Sequence, residues 1–316
     1  MHTEKKYDVA IRLPNWVGDA VMSVPGILAL QKRGLHCVLI GKPWAQDALS
    51  GLNCDILTHP KGFLQQAQFW KKISTKKVLL LPNSLSSAFA PRLAGKELVG
   101  MQTDGRGLLL KHGICKTPGK HEVEYDWQLA QLTAILFDKH ITKIPPPRIT
   151  LPISEKAQHA AHGIIKNEKL ADGFVIICPM AAGLYKGTSK IWPHWNAAID
   201  MLNQQGKHVI TCPSPNESEQ CKKNHPTCRV IEKVDLGTLA ALCAKADFIL
   251  SNDSGPMHIA TAMNPNTCGI FGVTDPTLTR PWGANYFMVE NGWPDDGNVM
   301  QWANQLNQTK VLTPPG

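Results

Sequence analysis

No stretch of this 316-residue chain is long and apolar enough to span a bilayer, so any association with a membrane is expected to be peripheral. The opening MHTEKKYDV is polar, and the first apolar run, VAIRL, is too short for a signal peptide. There is no CxxC pair, no zinc-finger spacing and no alternation of arginine with aromatic residues of the kind that binds nucleic acid. Nine cysteines is an odd count, and several sit inside apolar runs, such as VIICP at Cys178 and HVITC at Cys212. That excludes a disulfide framework and fits buried thiols in a reducing compartment. Cys221 and Cys228 flank His225, but a fourth ligand at proper spacing is missing, so the segment reads as a surface loop and no metal site is expected. Charged residues make up only 18% against 43% hydrophobic, which excludes a disordered tail protein. Glycine (25) and proline (23) stand near ordinary globular usage, which excludes collagen-like and low-complexity chains.

What is present is an excess of positive charge, +8 at neutral pH. It favours anionic partners, of which phosphate-bearing small molecules and anionic lipid surfaces remain once nucleic acid is set aside.

Short apolar runs recur between helical patterns. Strands are expected at Val9–Leu13, His36–Ile40, Lys77–Leu81, Phe174–Cys178, His208–Cys212, Asp247–Ser251 and Thr267–Phe271. Helices are expected at Asp19–Lys32 (with Pro25 in its early part), Glu122–Phe137, Ser154–Lys169 (Ser154 as cap), Trp195–Gln205, Leu236–Lys245, Pro256–Met263 and Asn298–Asn307, before a frayed VLTPPG tail. Alternation of this kind predicts parallel α/β layers. The run Pro145-Pro146-Pro147 marks a linker, giving two Rossmann-like domains, residues 1–150 and 151–316, with ligands at the carboxyl ends of the strands.

Four loops carry polar chemistry at those ends. Leu13–Ala20 leaves the first strand and delivers Gly18 and Asp19 to a helix start. It is not a GxGxxG fingerprint, which argues against an NAD-dependent oxidoreductase. Cys178–Pro193 carries small residues, then Thr188, Ser189 and Lys190, which suit a phosphate without forming a Walker motif. Ser251–Ala260 enters a helix with Asp253 or Ser254 as cap, Pro256 in the first turn and His258 a turn further on. Phe271–Pro276 brings polar groups to the same edge. Three loops on one domain can hold a nucleoside diphosphate, and a carboxylate loop on the other can supply a base. That division of labour predicts transfer of a group from an activated donor to a separate acceptor.

The segments NWVGDAVMSVP (Asn15–Pro25), LPNS (Leu81–Ser84), KIWP (Lys190–Pro193), SNDSGPMHIA (Ser251–Ala260) and IFGVTDP (Ile270–Pro276) resemble the ADP-heptose:lipopolysaccharide heptosyltransferases of glycosyltransferase family 9. The likeness is greatest to the heptosyltransferase II branch. The resemblance implies the GT-B fold, two facing Rossmann-like domains with an interdomain cleft, the first binding the acceptor and the second the nucleotide sugar. It implies inverting transfer of heptose from ADP-L-glycero-β-D-manno-heptose to the anionic inner core of lipopolysaccharide by direct displacement. No cofactor or metal is implied, and the protein would be cytoplasmic, peripheral at the inner face of the inner membrane. Residue by residue, Asp19 matches the general base and Lys190 the lysine that neutralises the donor diphosphate. Asp253, Ser254, Gly255 and His258 match the second phosphate- and sugar-contacting block, and Met180, Thr188 and Ser189 the donor loop. Glu217 matches a partner for the ribose hydroxyls. Asn15, Trp16, Gly18, Asn83 and Ser84 fall on the acceptor side. Lys61, Lys71, Lys72, Lys76 and Lys77 are expected to steer the anionic acceptor. Two departures stand out: Met180 where the family's donor loop has glycine, and Pro256 where the branch carries an apolar residue such as leucine. They leave open a related GT-B enzyme using another nucleotide sugar, or an inactive nucleotide-sugar-binding protein.

Overall fold

The computed structural model describes residues 6–181, 183–288 and 292–311. The chain divides into two compact units between Pro152 and Ile153.

In the first unit, strands and helices alternate in the order β1 (Val9–Arg12), α1 (Val17–Lys32), β2 (Cys37–Gly41), α2 (Ala45–Ala48), β3 (Asp55–Thr58), α3 (Phe63–Lys72), β4 (Lys77–Leu80), α4 (Ser86–Leu93), β5 (Glu97–Met101), β6 (His112–Ile114) and α5 (Glu122–Ile135). The strands form one sheet of order β3-β2-β1-β4-β5-β6, with parallel pairing throughout. Strands β1 and β2 are buried at every position. Helices cover both faces of such a sheet, which is why these segments read as unbroken apolar runs rather than alternating ones. The order reverses between β1 and β4, so the loops after these two strands flank the topological switch point, where sheets of this type bind ligands.

Helix α1 starts two residues before the expected Asp19 and runs through Pro25. Gly26 explains how α5 lies so close to it: a Cβ there would stand 3.0 Å from Ala130 Cβ and 3.2 Å from the Asp126 carbonyl oxygen. Helix α5 opens on a capping box. His121 Nδ1 accepts from the Val123 N–H (3.2 Å), and Glu124 Oε2 accepts from the His121 N–H (2.8 Å).

The second unit repeats the plan: α6 (Glu155–Asn167), β7 (Val175–Cys178), β8 (Leu184–Tyr185), β9 (Thr188–Ser189), α7 (Trp195–Gln204), β10 (Val209–Thr211), α8 (Ser218–Asn224), β11 (Arg229–Val230), α9 (Leu236–Cys243), β12 (Phe248–Asn252), α10 (Gly255–Met263), β13 (Thr267–Phe271), α11 (Pro276–Thr279), β14 (Asn285–Met288) and α12 (Asp296–Val311). Ser154 caps α6 as expected, its Oγ accepting from the Ala157 N–H at 3.3 Å. The main sheet has the order β11-β10-β7-β12-β13-β14, so its switch point lies between β7 and β12. Trp192, Trp195, Phe248 and Ile270 are almost fully buried in its core, with the Trp192 and Trp195 rings packed edge to face at 5.2 Å.

Four expectations need correcting. The Cys178–Pro193 segment is not all loop, because β8 and β9 pair as an exposed antiparallel hairpin around Lys186-Gly187. The Cys221–Cys228 segment is not a surface loop. His225 is buried beside Asn196 Oδ1 (2.7 Å), and both cysteines are buried. Neither Asp253 nor Ser254 caps α10 through its side chain; Ser254 occupies the N-cap position in extended conformation, and its Oγ is buried without a hydrogen bond. The last helix extends two residues earlier and four later than expected, and of the tail only Val311 is described.

Candidate functional site

The two units present their candidate residues at equivalent places. In the first unit, β1 ends at Arg12, whose buried guanidinium organises the following loop. It donates to the carbonyl of Leu13, to the carbonyl of Ile40 (3.5 Å) and to Asn15 Oδ1 (2.9 Å). Trp16 is 68% exposed, precedes α1 in extended conformation, and lies under the Lys42 ammonium at 5.6 Å from its ring centre. Gly18 is buried, and Asp19 is half-buried in the first turn of α1.

Across the switch point, the loop after β4 is pinned by Arg106, which is fully buried. Its Nε donates to the Met101 carbonyl (2.7 Å), Nη1 to the Pro82 carbonyl and to Ser87 Oγ (3.1 Å), and Nη2 to Asn83 Oδ1 (3.5 Å). Asn83 and Ser84 are exposed on this pinned loop. Ser84 Oγ accepts from Ser86 Oγ at 3.1 Å. Burial pulls both guanidinium groups down to about 10, so both stay cationic at neutral pH while donating to carbonyl, amide and hydroxyl oxygens rather than to carboxylates. Beyond β3, His59 is pushed down to about 4 by burial and by the Arg12 charge, and is neutral. Of the lysines expected to steer an acceptor, only Lys61 lies at this carboxyl edge. Lys71 and Lys72 end α3, and Lys76 and Lys77 lead into β4, at the opposite edge of the sheet.

Asp126 on α5 is a carboxylate that sequence reading missed. Its carboxyl is held well above the usual carboxylate range by burial, then by the charges of Glu122 and Asp19. Lys116, ion-paired to Glu122, opposes this.

In the second unit, β7 leads into Pro179 and the half-buried Met180, and β12 leads into Asp253, Ser254 and Gly255 at the start of α10. The Lys190 ammonium meets the second of these loops at Asp253. Nζ donates to the Asp253 carbonyl at 3.0 Å and stands 3.9 Å from Asp253 Oδ2. Thr188 and Ser189 are exposed on β9, and Ser189 Oγ is taken up locally, accepting from the Ile191 N–H at 3.1 Å. His258 is buried within α10. Glu217 precedes α8 beyond β10, where Oε2 accepts from Ser214 Oγ (2.5 Å) and from the Ser214 N–H (3.3 Å). Among the described residues, no three His, Cys, Asp or Glu side chains are grouped to hold a metal ion. A cavity of about 600 Å³ at the amino edge of the first sheet, between Tyr7, Cys37 and Asp55, contains none of the candidate residues.

Two parallel sheets of one strand order, each with polar loops gathered at its switch point, form the two-domain α/β architecture of GT-B glycosyltransferases, which use nucleotide sugars. Residues 66–300 match glycosyltransferase family 9 (heptosyltransferase), and the chain belongs to that family. It is 27% identical over 287 residues to the lipooligosaccharide heptosyltransferase 2 of Campylobacter jejuni, covering 87% of this chain and 84% of that protein. It is 25% identical over 300 residues to the lipopolysaccharide heptosyltransferase 2 of Escherichia coli, covering 85% and 83%. The solved structure of the E. coli ADP-heptose LPS heptosyltransferase II shares the fold, with a TM-score of 0.78 at 22% identity over 96% of this chain and 99% of that one.

Proposed function

We propose that this protein transfers heptose, with inversion, from ADP-L-glycero-β-D-manno-heptose to the inner core of lipopolysaccharide, acting as a heptosyltransferase of the second type. The observation that carries the reading is the Lys190 cluster. One ammonium is held at the switch point of the second sheet, beside the open start of α10, where the Ser254 hydroxyl has no protein partner. A helix start and a lysine together suit a diphosphate. The C. jejuni and E. coli relatives, both named heptosyltransferase 2, support heptose as the group transferred.

In this mechanism Asp19 takes the proton of the acceptor hydroxyl as its oxygen attacks the anomeric carbon. The bond to the ADP oxygen breaks on the opposite face, and no covalent intermediate forms. Negative charge grows on the departing diphosphate. Lys190 and the N–H groups of Ser254 and Gly255 stabilise it more as the bond lengthens, which is how binding lowers the barrier. Met180 and Thr188 border the nucleotide, Ser189 contributes backbone, Glu217 takes the ribose hydroxyls, and Asp253 and His258 contact the sugar. Asn15, Trp16, Gly18, Asn83 and Ser84 hold the acceptor. Among the described residues no helix is long and apolar enough to cross a membrane. The enzyme meets its lipid-linked acceptor by peripheral contact with the cytoplasmic face of the inner membrane.

Calorimetry with ADP, UDP and GDP tests the donor. Selective binding of ADP is expected, and preference for UDP or GDP overturns the named reaction. Asp19→Ala tests the base. It should cut kcat by about a hundredfold to ten-thousandfold, the range of general base catalysis, with ADP affinity almost unchanged. Turnover at the wild-type rate would remove Asp19 from that role.

A further inference from the structure

The last residue of β12, Asn252, is completely buried at the switch point of the second sheet, and both polar atoms of its carboxamide are bonded. Its Nδ2 donates to the Pro179 carbonyl at 2.6 Å. Its Oδ1 accepts twice, from the Trp192 backbone N–H at 3.0 Å and from the Trp195 indole N–H at 3.2 Å. The partners fix the orientation: both N–H groups can only donate, and the Pro179 carbonyl can only accept. A side chain here must therefore accept two hydrogen bonds on one atom and donate from its neighbour. Asparagine meets that demand, and an ionised aspartate of the same shape does not.

The three segments so joined carry the donor-site groups. Pro179 precedes Met180. Trp192 lies two residues after Lys190. Asn252 precedes Asp253, whose carbonyl receives the Lys190 ammonium. Trp192 and Trp195 are each 1% exposed, and the Trp192 indole N–H is separately anchored on the Pro294 carbonyl at 2.7 Å, so the joint has little room to relax. We propose that Asn252 is a positioning residue for Lys190, its carboxamide holding the Pro179, Lys190 and Asp253 segments in the one arrangement that presents the ammonium to a diphosphate. This rests on the donor site assigned above. Asn252 does not touch the donor; it acts through Lys190, whose placement over the Asp253 carbonyl it sets from beneath.

Asn252→Asp is the decisive variant. Ionised, the carboxylate faces the Pro179 carbonyl with no proton to donate and adds negative charge under the diphosphate. Protonated, it restores all three hydrogen bonds. Burial raises the pH at which that proton is held, which brings the change into a workable range. The other ionisable groups nearby are Lys190 and Asp253 on the joined segments, Cys178 at the end of β7, His194 against the Trp192 ring (5.6 Å) and His258 on α10. Wild type measured in the same buffers accounts for them. ADP affinity of Asn252→Asp should fall at least tenfold below wild type at pH 8 and recover most of that loss by pH 5.5. In a Lys190→Ala background the same substitution should cost less than threefold. Affinity within threefold of wild type at pH 8, a loss unchanged at pH 5.5, or full additivity with Lys190→Ala would each overturn the proposal.

If Asn252→Asp does not fold, Trp195→Phe removes one of the three hydrogen bonds and keeps an aromatic ring there, at the cost of a cavity in the core. A severalfold loss of ADP affinity that disappears in the Lys190→Ala background is then expected, and additive losses overturn the proposal. If wild type itself binds no ADP, the assigned donor fails but the joint is still decided by NMR of the Trp195 indole N–H. That resonance should titrate in Asn252→Asp and stay fixed in wild type, and a resonance that does not move in the variant overturns the joint.

Discussion

Lys190→Ala removes a side-chain cation that the structure places at the start of α10, and the size of the effect can be worked out beforehand. The ammonium stands 3.0 Å from the Asp253 carbonyl and 3.9 Å from its carboxylate, with 22% of the lysine side chain exposed. A phosphate oxygen received in the same half-buried setting, about 4 Å away, interacts with it by roughly 4 kcal/mol at an effective dielectric constant near 20. Part of this is cancelled by stripping water from the ammonium and by the Asp253 carboxylate that already faces it. A net of about 2–3 kcal/mol remains, in line with hydrogen bonds to charged groups. ADP affinity should therefore fall about 30- to 150-fold, since each 1.4 kcal/mol is roughly tenfold. Turnover should fall as well, because charge on the diphosphate grows as the bond breaks. Lys190→Arg keeps the charge but replaces a compact ammonium by a planar fork, and should recover only part of the loss. Titration calorimetry with ADP, at two salt concentrations, reads all of this. An alanine variant that binds ADP within threefold of wild type would show that the diphosphate lies elsewhere and remove the basis of the electrostatic argument.

Two predictions concern the support behind Asp19. Asp126 has its carboxyl raised by burial and by the charges of Glu122 and Asp19, so the folded protein keeps a proton there that the unfolded chain has lost. Stability from this group is present below the unfolded value of about 4 and declines as pH rises through the raised folded value. Asp126→Asn should therefore melt above wild type at pH 8, with the gap closing toward pH 4; a constant gap would contradict it. Gly26→Ala gains about 1 kcal/mol of helix propensity but drives a methyl to within 3.0 Å of Ala130 Cβ and 3.2 Å of the Asp126 carbonyl. Overpacking of that kind costs about 1–3 kcal/mol, so the melting temperature should fall by a few degrees, and a rise would mean that α5 yields freely.

The central strands were legible because both of their faces are covered. β1, β2, β4, β7, β12 and β13 are buried at all or nearly all positions and mostly apolar, and their expected bounds differ from the observed ones by a residue or so at most. Strands toward the sheet edges were not legible. β3 is only half-buried, β6 spans three residues around Gly113, and β11 has two, so none leaves an apolar signature. The loops that carry Asp19 and Asp253 stood out because polar residues follow closely on buried strands, and Lys190 because two hydroxyls and a lysine close a segment of small residues. Arg12, Arg106 and Asn252 did not, for a different reason. Each is a polar residue in or beside an apolar run, and its meaning lies in carbonyls contributed by segments up to 73 positions away. The Asp253 or Ser254 cap was misjudged because composition favours such a residue at a helix start; Ser254 does take the N-cap position with extended backbone, yet its hydroxyl makes no bond to the first turn.

Among the described residues the two sheets share no strand, and every strand pairing stays on its own side of the Pro152–Ile153 junction. The polypeptide is in that sense severable. A gene cut at this junction breaks no ladder of backbone hydrogen bonds and leaves each set of switch-point loops on an intact frame. On the function proposed above, nucleotide recognition and acceptor recognition would then be two separate inheritances, each open to exchange or selection without rewriting the other.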